Sequence, residues 1–332
     1  MEMSYIIFSL LIINLIIFQF NKSIAKNLNL FDKPDYKRKI HLVLVPLTGG
    51  IFLYFNFIVI LFLLNLDFFN YLNLNINNKR EFLSIFFLVS SLFLLGLYDD
   101  RYDISPQTKL FLLSFIVLVG ILIDENLIIK DLTFSYFNYS FDLSKLSIPL
   151  TILFILLFIN ALNMFDGIDM QVSTYFLIII LFLFFNYEIK FLFYFIPVIL
   201  FILYLNFKKK LFLGDSGTNI IAILISWVII KDYNLNNKFF CEEVFVMMSI
   251  PGLDMLRLFC IRLMKGQNPF SADKNHLHHL FLKKFKFFLS FLIIQFLILI
   301  PITFYLVVGS SIASAIIAII VYSLSLVFLK LK

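Results

Sequence analysis

Leu146-Ser-Ile-Pro-Leu-Thr-Ile-Leu-Phe-Ile-Leu-Leu-Phe-Ile-Asn-Ala-Leu-Asn-Met164 carries no charge, and it runs directly into Phe165-Asp166-Gly-Ile-Asp169. About 20 apolar residues in helical form cross the hydrocarbon core of a bilayer, so this stretch is expected to be a membrane span that ends in a polar cluster. The alternation recurs along the chain. Apolar stretches fall at 4–20, 42–64, 82–98, 109–123, 146–164, 171–186, 191–206, 219–231, 241–261, 287–308 and 311–329. The expected fold is therefore an all-α, polytopic integral membrane helix bundle of about eleven transmembrane helices, read as one domain over residues 1–332. The stretches at 109–123 and 219–231 are short for a span.

Composition agrees. Of 332 residues, 61% are hydrophobic and 14% charged, and 45 are Phe. Soluble domains are about 45–50% apolar and about 25% charged, so this chain cannot hide its apolar surface in a water-soluble core. A soluble enzyme, a secreted scaffold and a disordered chain are excluded. Two cysteines, Cys241 and Cys260, provide no disulfide framework or cysteine-based metal site. The first stretch follows Glu2 without a preceding Lys or Arg and lacks a small-residue cleavage site, so it is expected to be a retained span.

Most of the 27 Lys and Arg residues fall after the odd-numbered stretches. By the positive-inside rule the N-terminus is then outside and the C-terminus cytoplasmic. The net charge of +6 thus faces anionic headgroups and anionic solutes on the cytoplasmic side.

The same loops carry the chemistry. The first holds Asp32-Lys-Pro-Asp-Tyr-Lys-Arg-Lys-Ile-His41, then Pro46 and Gly49-Gly50. The second is Asp99-Asp100-Arg-Tyr-Asp103, with Pro106 and Lys109. The third is Asn160-Ala-Leu-Asn163-Met-Phe-Asp166-Gly-Ile-Asp169. The fourth is Lys208-Lys-Lys-Leu-Phe212-Leu-Gly214-Asp215-Ser216-Gly217. The fifth contains Arg257, Arg262, Lys265, Asn268-Pro-Phe, Asp273 and His276-Leu-His278-His279. Each cluster also has a plain structural account. Asp99 to Asp103 can be a solvated helix end, Asp166-Gly-Ile-Asp169 a tight turn, and Gly214 to Gly217 a helix cap. Together, carboxylates and an Asn form an oxygen-rich donor set suited to a hard divalent cation. Arg, Lys and His supply charge-assisted donors to phosphate. Metal, cationic clamp and positioned nucleophile are the parts of phosphoryl transfer. No Walker-type loop and no GxGxxG occurs.

In this order the motifs resemble the polyprenyl-phosphate N-acetylhexosamine-1-phosphate transferases of glycosyltransferase family 4, over about residues 30–285. The forms Asp-Asp-Arg-Tyr-Asp and Asn-Pro-Phe…His-Leu-His-His are more similar to the bacterial undecaprenyl-phosphate GlcNAc-1-phosphate transferase type than to the peptidoglycan enzyme. The resemblance implies an enzyme of the bacterial cytoplasmic membrane with its active site on the cytoplasmic face. It would move HexNAc-1-phosphate from a UDP-sugar, UDP-GlcNAc first, to undecaprenyl phosphate, with release of UMP, as the first membrane step of a surface polysaccharide such as lipopolysaccharide O-antigen.

It further implies Mg²⁺, with Mn²⁺ as the alternative ion, near Asp215 and Asn163. Asp99 and Asp100 would assist the lipid phosphate and Lys109 would contact it. Asp166 would be catalytic near the nucleotide, Asp169 would bind the nucleotide, and Phe212 would stack on uracil. Arg262, His276, His278 and His279 would grip the diphosphate or sugar. Direct attack and a covalent aspartyl intermediate both stay open. Expected partners are the UDP-sugar, undecaprenyl phosphate and membrane lipid, without nucleic acid and with a homodimer as an open assembly. One departure is Met170-Gln171, where the family continues with Gly and a small or apolar residue. Met takes positive φ less readily than Gly, which points to an altered loop. Another UDP-HexNAc, an inactive lipid- or nucleotide-binding paralogue, and a transporter are the rival readings.

Overall fold

The computed structural model describes residues 2–32, 44–64, 79–137, 139–236, 238–269 and 275–330, with the side chains of 2–4 and 64 excepted. Twelve α-helices run in chain order among these residues: α1 (Glu2–Leu28), α2 (Gly49–Leu64), α3 (Lys79–Tyr102), α4 (Pro106–Ile123), α5 (Ser147–Phe165), α6 (Gln171–Tyr187), α7 (Ile196–Phe207), α8 (Gly214–Asn236), α9 (Cys241–Met264), α10 (Leu277–Lys284), α11 (Phe287–Val308) and α12 (Ser311–Lys330). Two short antiparallel pairs accompany them, β1 (Phe31–Asp32) with β2 (Val45–Pro46) and β3 (Asp131–Leu132) with β4 (Phe141–Asp142).

Among the described residues each apolar stretch expected from sequence overlaps a helix, and the one at 42–64 is helical only from Gly49, after β2. Eight helices among the described residues are long and apolar enough to cross a membrane, and Gly49–Leu63, Gln171–Tyr187 and Phe191–Phe207 are shorter apolar helices. The protein is thus all-α and polytopic. The stretch at 219–231 gains its missing length at both ends, because α8 continues from Gly214 to Asn236. The β3–β4 hairpin and the short α10 were not foreseen. Strands of two residues carry no periodicity, and α10 lies in what reads as a charged loop.

Two compact units make up the fold. The first comprises Met1–Asp124 and Phe176–Ile225, and the second comprises Glu125–Tyr175 and Ser226–Lys332. In the first, α4 starts by local chemistry. Ser105 accepts from the Thr108 backbone N–H at 3.3 Å, and Pro106 occupies the first turn, where its missing N–H costs nothing. The glycine pair after β2 lies beside the segment entering α8. Gly49 and Gly50 donate their N–H groups to the carbonyls of Phe212 and Leu213 at 3.0 and 3.1 Å, and Phe212 N–H donates to Pro46 at 2.8 Å. Gly50 and Gly96 both lie against Ser216, so close that a Cβ on either would overlap it.

In the second unit, Pro251 interrupts α9 and cannot bond back to the Met247 carbonyl. The Tyr175 hydroxyl donates to that carbonyl instead, at 3.1 Å, so the freed acceptor is satisfied inside the bundle. The end of α12 is held similarly, with Lys284 Nζ donating to the Phe328 carbonyl at 2.8 Å.

Candidate functional site

The first unit gathers four of the expected residues. Asp99 and Asp100 lie in the last turn of α3, Lys109 in the first turns of α4, and Asp215 in the first turn of α8. The Lys109 ammonium bridges two carboxylates, binding Asp99 Oδ2 at 2.7 Å and also Asp215 Oδ2. Asp99 is further fixed by the Ile104 N–H, which donates to Oδ1 at 2.7 Å. This contact turns the chain out of α3 through Asp103, which sits at φ 50°.

Asp100 has a different task. Its carboxylate accepts from Asp215 N–H at 2.7 Å, Ser216 N–H at 3.1 Å and Ser216 Oγ at 2.8 Å. It therefore caps α8 from another helix, satisfying N–H groups that a helix start leaves without partners. Gly214 takes φ 72° with its Cα against that carboxylate, where a Cβ would collide with both oxygens. Gly-Asp-Ser-Gly is thus a helix start, as the plain structural account holds, and Asp100 supplies the cap. Capping fixes Asp215 in the first turn beside Lys109, so the structural and functional accounts of the motif converge. Phe212 is half-buried and its backbone is held in the contacts with Pro46 and Gly49.

The second unit gathers the rest. Asn163 is half-buried on the last turn of α5, Asp166 is exposed at its C-cap, and Asp169 is half-buried. Met170 sits at φ 69°. The expected departure is thus absorbed without abandoning the left-handed backbone, at a cost of about 1–2 kcal/mol for a side chain there. Facing the turn is His278, 2% exposed, whose ring occupies the space a Cβ on Gly167 would need. Burial, reinforced by His279 and His276 nearby, pushes His278 down to about 3, so the ring is neutral throughout the physiological range. It is stacked with His276 at 5.5 Å, and the His279 ring lies 4.2 Å from it. Arg262 is 2% exposed and donates from Nη1 to the Pro269 carbonyl at 2.6 Å, holding the loop after α9. His276 is buried and His279 half-buried. The unit also holds an apolar cavity of about 360 Å³, lined among others by Phe154, Leu157, Phe158, Phe245, Met248 and Leu253.

Among the described residues, no three His, Cys, Asp or Glu side chains form a cage for a metal ion. The donor chemistry still suits an ion that keeps water and substrate phosphates as most of its ligands, which is how Mg²⁺ is usually held, by one or two carboxylates. Two aspartates converging on a single cation, Asp99 and Asp215 on Lys109, are such a set. From the first loop, only Asp32 of the Asp32–His41 motif falls within the described residues. Phe270 and Asp273 also lie outside them. Asp254, which sequence reasoning missed, is 3% exposed on α9 and bonded to His276. An acid in the middle of an apolar stretch, away from the Glu242–Glu243 pair at its start, is the signal that could have found it, since a charge inside a membrane segment is costly unless it serves a partner.

A polytopic helical membrane protein with aspartates, a lysine and a histidine run at its helix ends defines a class, and sequence comparison narrows it. The model for glycosyl transferase family 4 matches residues 82–232. The undecaprenyl-phosphate alpha-N-acetylglucosaminyl 1-phosphate transferase of Escherichia coli O157:H7 is 28% identical over 277 residues, covering 80% of this chain and 72% of the relative. Proteins of the same description from Yersinia pestis and Pasteurella multocida are 28% and 29% identical, covering 79% and 80% of this chain and 72% and 74% of the relatives. Over residues 82–232 the chain thus resembles glycosyl transferase family 4. Arg262 and the three histidines lie beyond the span of the family model.

Proposed function

We propose that the protein transfers HexNAc-1-phosphate, GlcNAc in the first instance, from a UDP-sugar to undecaprenyl phosphate. A phosphate oxygen of the lipid attacks the sugar-bearing phosphorus, the P–O bond to the UMP oxygen breaks, and UMP leaves. The product is the lipid-linked diphosphate sugar. The observation that carries this is the Asp99–Lys109–Asp215 arrangement, with Asp215 held at a helix start that Asp100 caps. The names of the relatives support the substrates.

Lys109 offers a cation to the phosphates and Asp99 orients it. Asp215, with Asp99 as the neighbouring carboxylate, would hold Mg²⁺, which when bound would neutralise diphosphate charge; Asn163 stays the second residue that the resemblance assigns to the ion. Asp166 and Asp169 lie on the turn assigned to the nucleotide, and Phe212 is assigned to the uracil. His276 and His279 donate to the diphosphate or sugar, whereas the buried His278 and Arg262 hold the loops from which these act. The apolar cavity offers surface to a lipid chain. The orientation that goes with this function puts the N-terminus outside, the C-terminus and both clusters on the cytoplasmic side of the inner membrane, and the product into a cell-surface polysaccharide.

The test is UMP release by purified protein in detergent, with undecaprenyl phosphate and Mg²⁺, across a panel of UDP-HexNAc sugars with and without EDTA. Metal-dependent UMP from one sugar is expected and fixes the specificity. Folded protein that yields no UMP from any sugar overturns the proposal in favour of an inactive paralogue.

A further inference from the structure

Asp254 stands in the apolar interior of α9, yet four donors meet at its two oxygens. Oδ1 accepts from Arg257 Nη2 at 2.7 Å and from the Tyr322 hydroxyl at 3.1 Å. Oδ2 accepts from the Leu277 backbone N–H at 3.1 Å and lies 3.1 Å from His276 Nδ1. Arg257 donates in turn to the Tyr322 hydroxyl at 2.9 Å and to the Asn275 carbonyl at 2.6 Å. One carboxylate thus joins α9, the start of α10 and α12. A clamp between helices would account for Arg257 and Tyr322. It would not require an imidazole, and the imidazole it holds is the first of the histidine run.

We infer that Asp254 is the positioning residue for His276, taking the Nδ1 proton so that Nε2 is the atom left to meet a phosphate oxygen. The inference rests on the phosphoryl-transfer role proposed above and adds a chemical consequence. An ionised carboxylate only accepts, so the ring keeps its proton on Nδ1. To donate from Nε2 as well, His276 must carry both protons and be cationic. The charged and titratable groups around it are Asp254 and Arg257 from α9, His278 and His279 from α10, and Tyr322 from α12. Among these, Asp254 is the acidic partner that can hold the doubly protonated ring. Partners of this kind behind a working histidine fix its tautomer and orientation, and their loss typically costs about 10–100-fold.

Asp254→Asn separates positioning from clamping. The amide oxygen can still accept, but its NH₂ can donate to Nδ1, so a neutral His276 then carries its proton on Nε2 and remains a donor. D254N should be about 10–100-fold less active in UMP release, and the D254N/H276Q double variant should lose no more than H276Q alone, as coupled residues do.

A second measurement needs no turnover. Side-chain ¹⁵N spectra of histidine-labelled protein in detergent, with His276 assigned by its loss in H276Q, should show Nδ1–H in the wild type and Nε2–H in D254N. Additive losses in the double variant overturn the inference, as does an Nε2–H tautomer in the wild type. If D254N does not fold, the wild-type tautomer decides. If the wild type releases no UMP from any sugar, the proposed function falls, while the ¹⁵N spectrum still settles the pairing of Asp254 with His276.

Discussion

The two polar clusters are built on opposite electrostatic plans. In the first unit, Asp99, Asp100 and Asp215 lie within a few residues of helix ends and are compensated by one lysine and by backbone N–H groups. In the second, His278 is kept neutral by burial against Gly167, and Asp254 brings Arg257 and His276 together. The first plan gathers charge and neutralises it locally. The second fills space with imidazoles and holds one of them against a carboxylate. A lysine shared by two carboxylates can exchange them for a phosphate while they take a metal ion in its place, whereas a packed, neutral ring is suited to fixing the shape of a loop.

Substitutions at the two clusters should therefore fail in different ways. The largest effect is expected from Asp215→Asn, which leaves the Asp100 cap in place because Asp100 accepts from the backbone of residue 215. UMP release should drop by about 10³-fold, the range for loss of one preorganised electrostatic partner, with an unchanged unfolding temperature in detergent. Wild-type turnover would remove Asp215 from the site. Asp100→Asn should differ by losing stability as well as turnover. An amide cannot accept on both sides, so even with its oxygen on the two Ser216 donors it leaves the Asp215 N–H facing an NH₂ group, at about 1–3 kcal/mol. A melting curve superimposable on the wild type would show the cap to be dispensable.

Gly167→Ala tests the second plan. The added methyl must displace the His278 ring or the turn, and overpacking of this kind costs about 1–3 kcal/mol. Weaker nucleotide binding with the Asp–Lys cluster intact is the expected outcome, read by titration calorimetry with UDP-sugar.

Acid should act through the same ring. His278 falls from the ordinary 6.5 to about 3 in the fold. The unfolded chain therefore binds a proton between those values that the folded chain does not, and stability declines as pH drops from about 6.5 towards 3, by at most about 1.4 kcal/mol per pH unit. Replacing His278 with Gln should shallow the acid side of the stability profile, measured by thermal melts between pH 7 and 5. An unchanged slope would place the acid sensitivity elsewhere. The smallest effect belongs to Met170→Gly. Glycine relieves about 1–2 kcal/mol of left-handed strain but restores about 0.5–1 kcal/mol of unfolded-state freedom, so a small net gain in stability should appear in the same melts.

Much of this was legible beforehand. The runs of Leu, Ile and Phe between charged loops are too apolar for any solvent but lipid, which decides helices through the hydrogen-bond demand of the backbone. Asp99-Asp100-Arg-Tyr-Asp103, Asp166-Gly-Ile-Asp169 and His276-Leu-His278-His279 stood out because acids and imidazoles are rare in such a chain. Asp254 did not, being an isolated residue in the middle of a long apolar stretch, with partners 3 to 68 residues away. The separate tasks of Asp99 and Asp100 were likewise closed to sequence. Adjacent residues on one helical turn point to different neighbours, one to Lys109 and the other to the start of α8.

The amino-acid sequence by itself determined that the chain is a helical membrane protein and which residue types gather at its helix ends. Hydropathy and charge act locally along the chain, and they need no knowledge of which helices meet. Tertiary structure alone decided which aspartate caps a helix and which binds lysine, that His278 is a neutral wedge while His276 is held by an acid, and that Met170 occupies the left-handed region. Those outcomes depend on distances between segments remote in sequence, where a few ångströms separate an ion pair from a cap and a ring packed against a glycine from one bonded to a carboxylate.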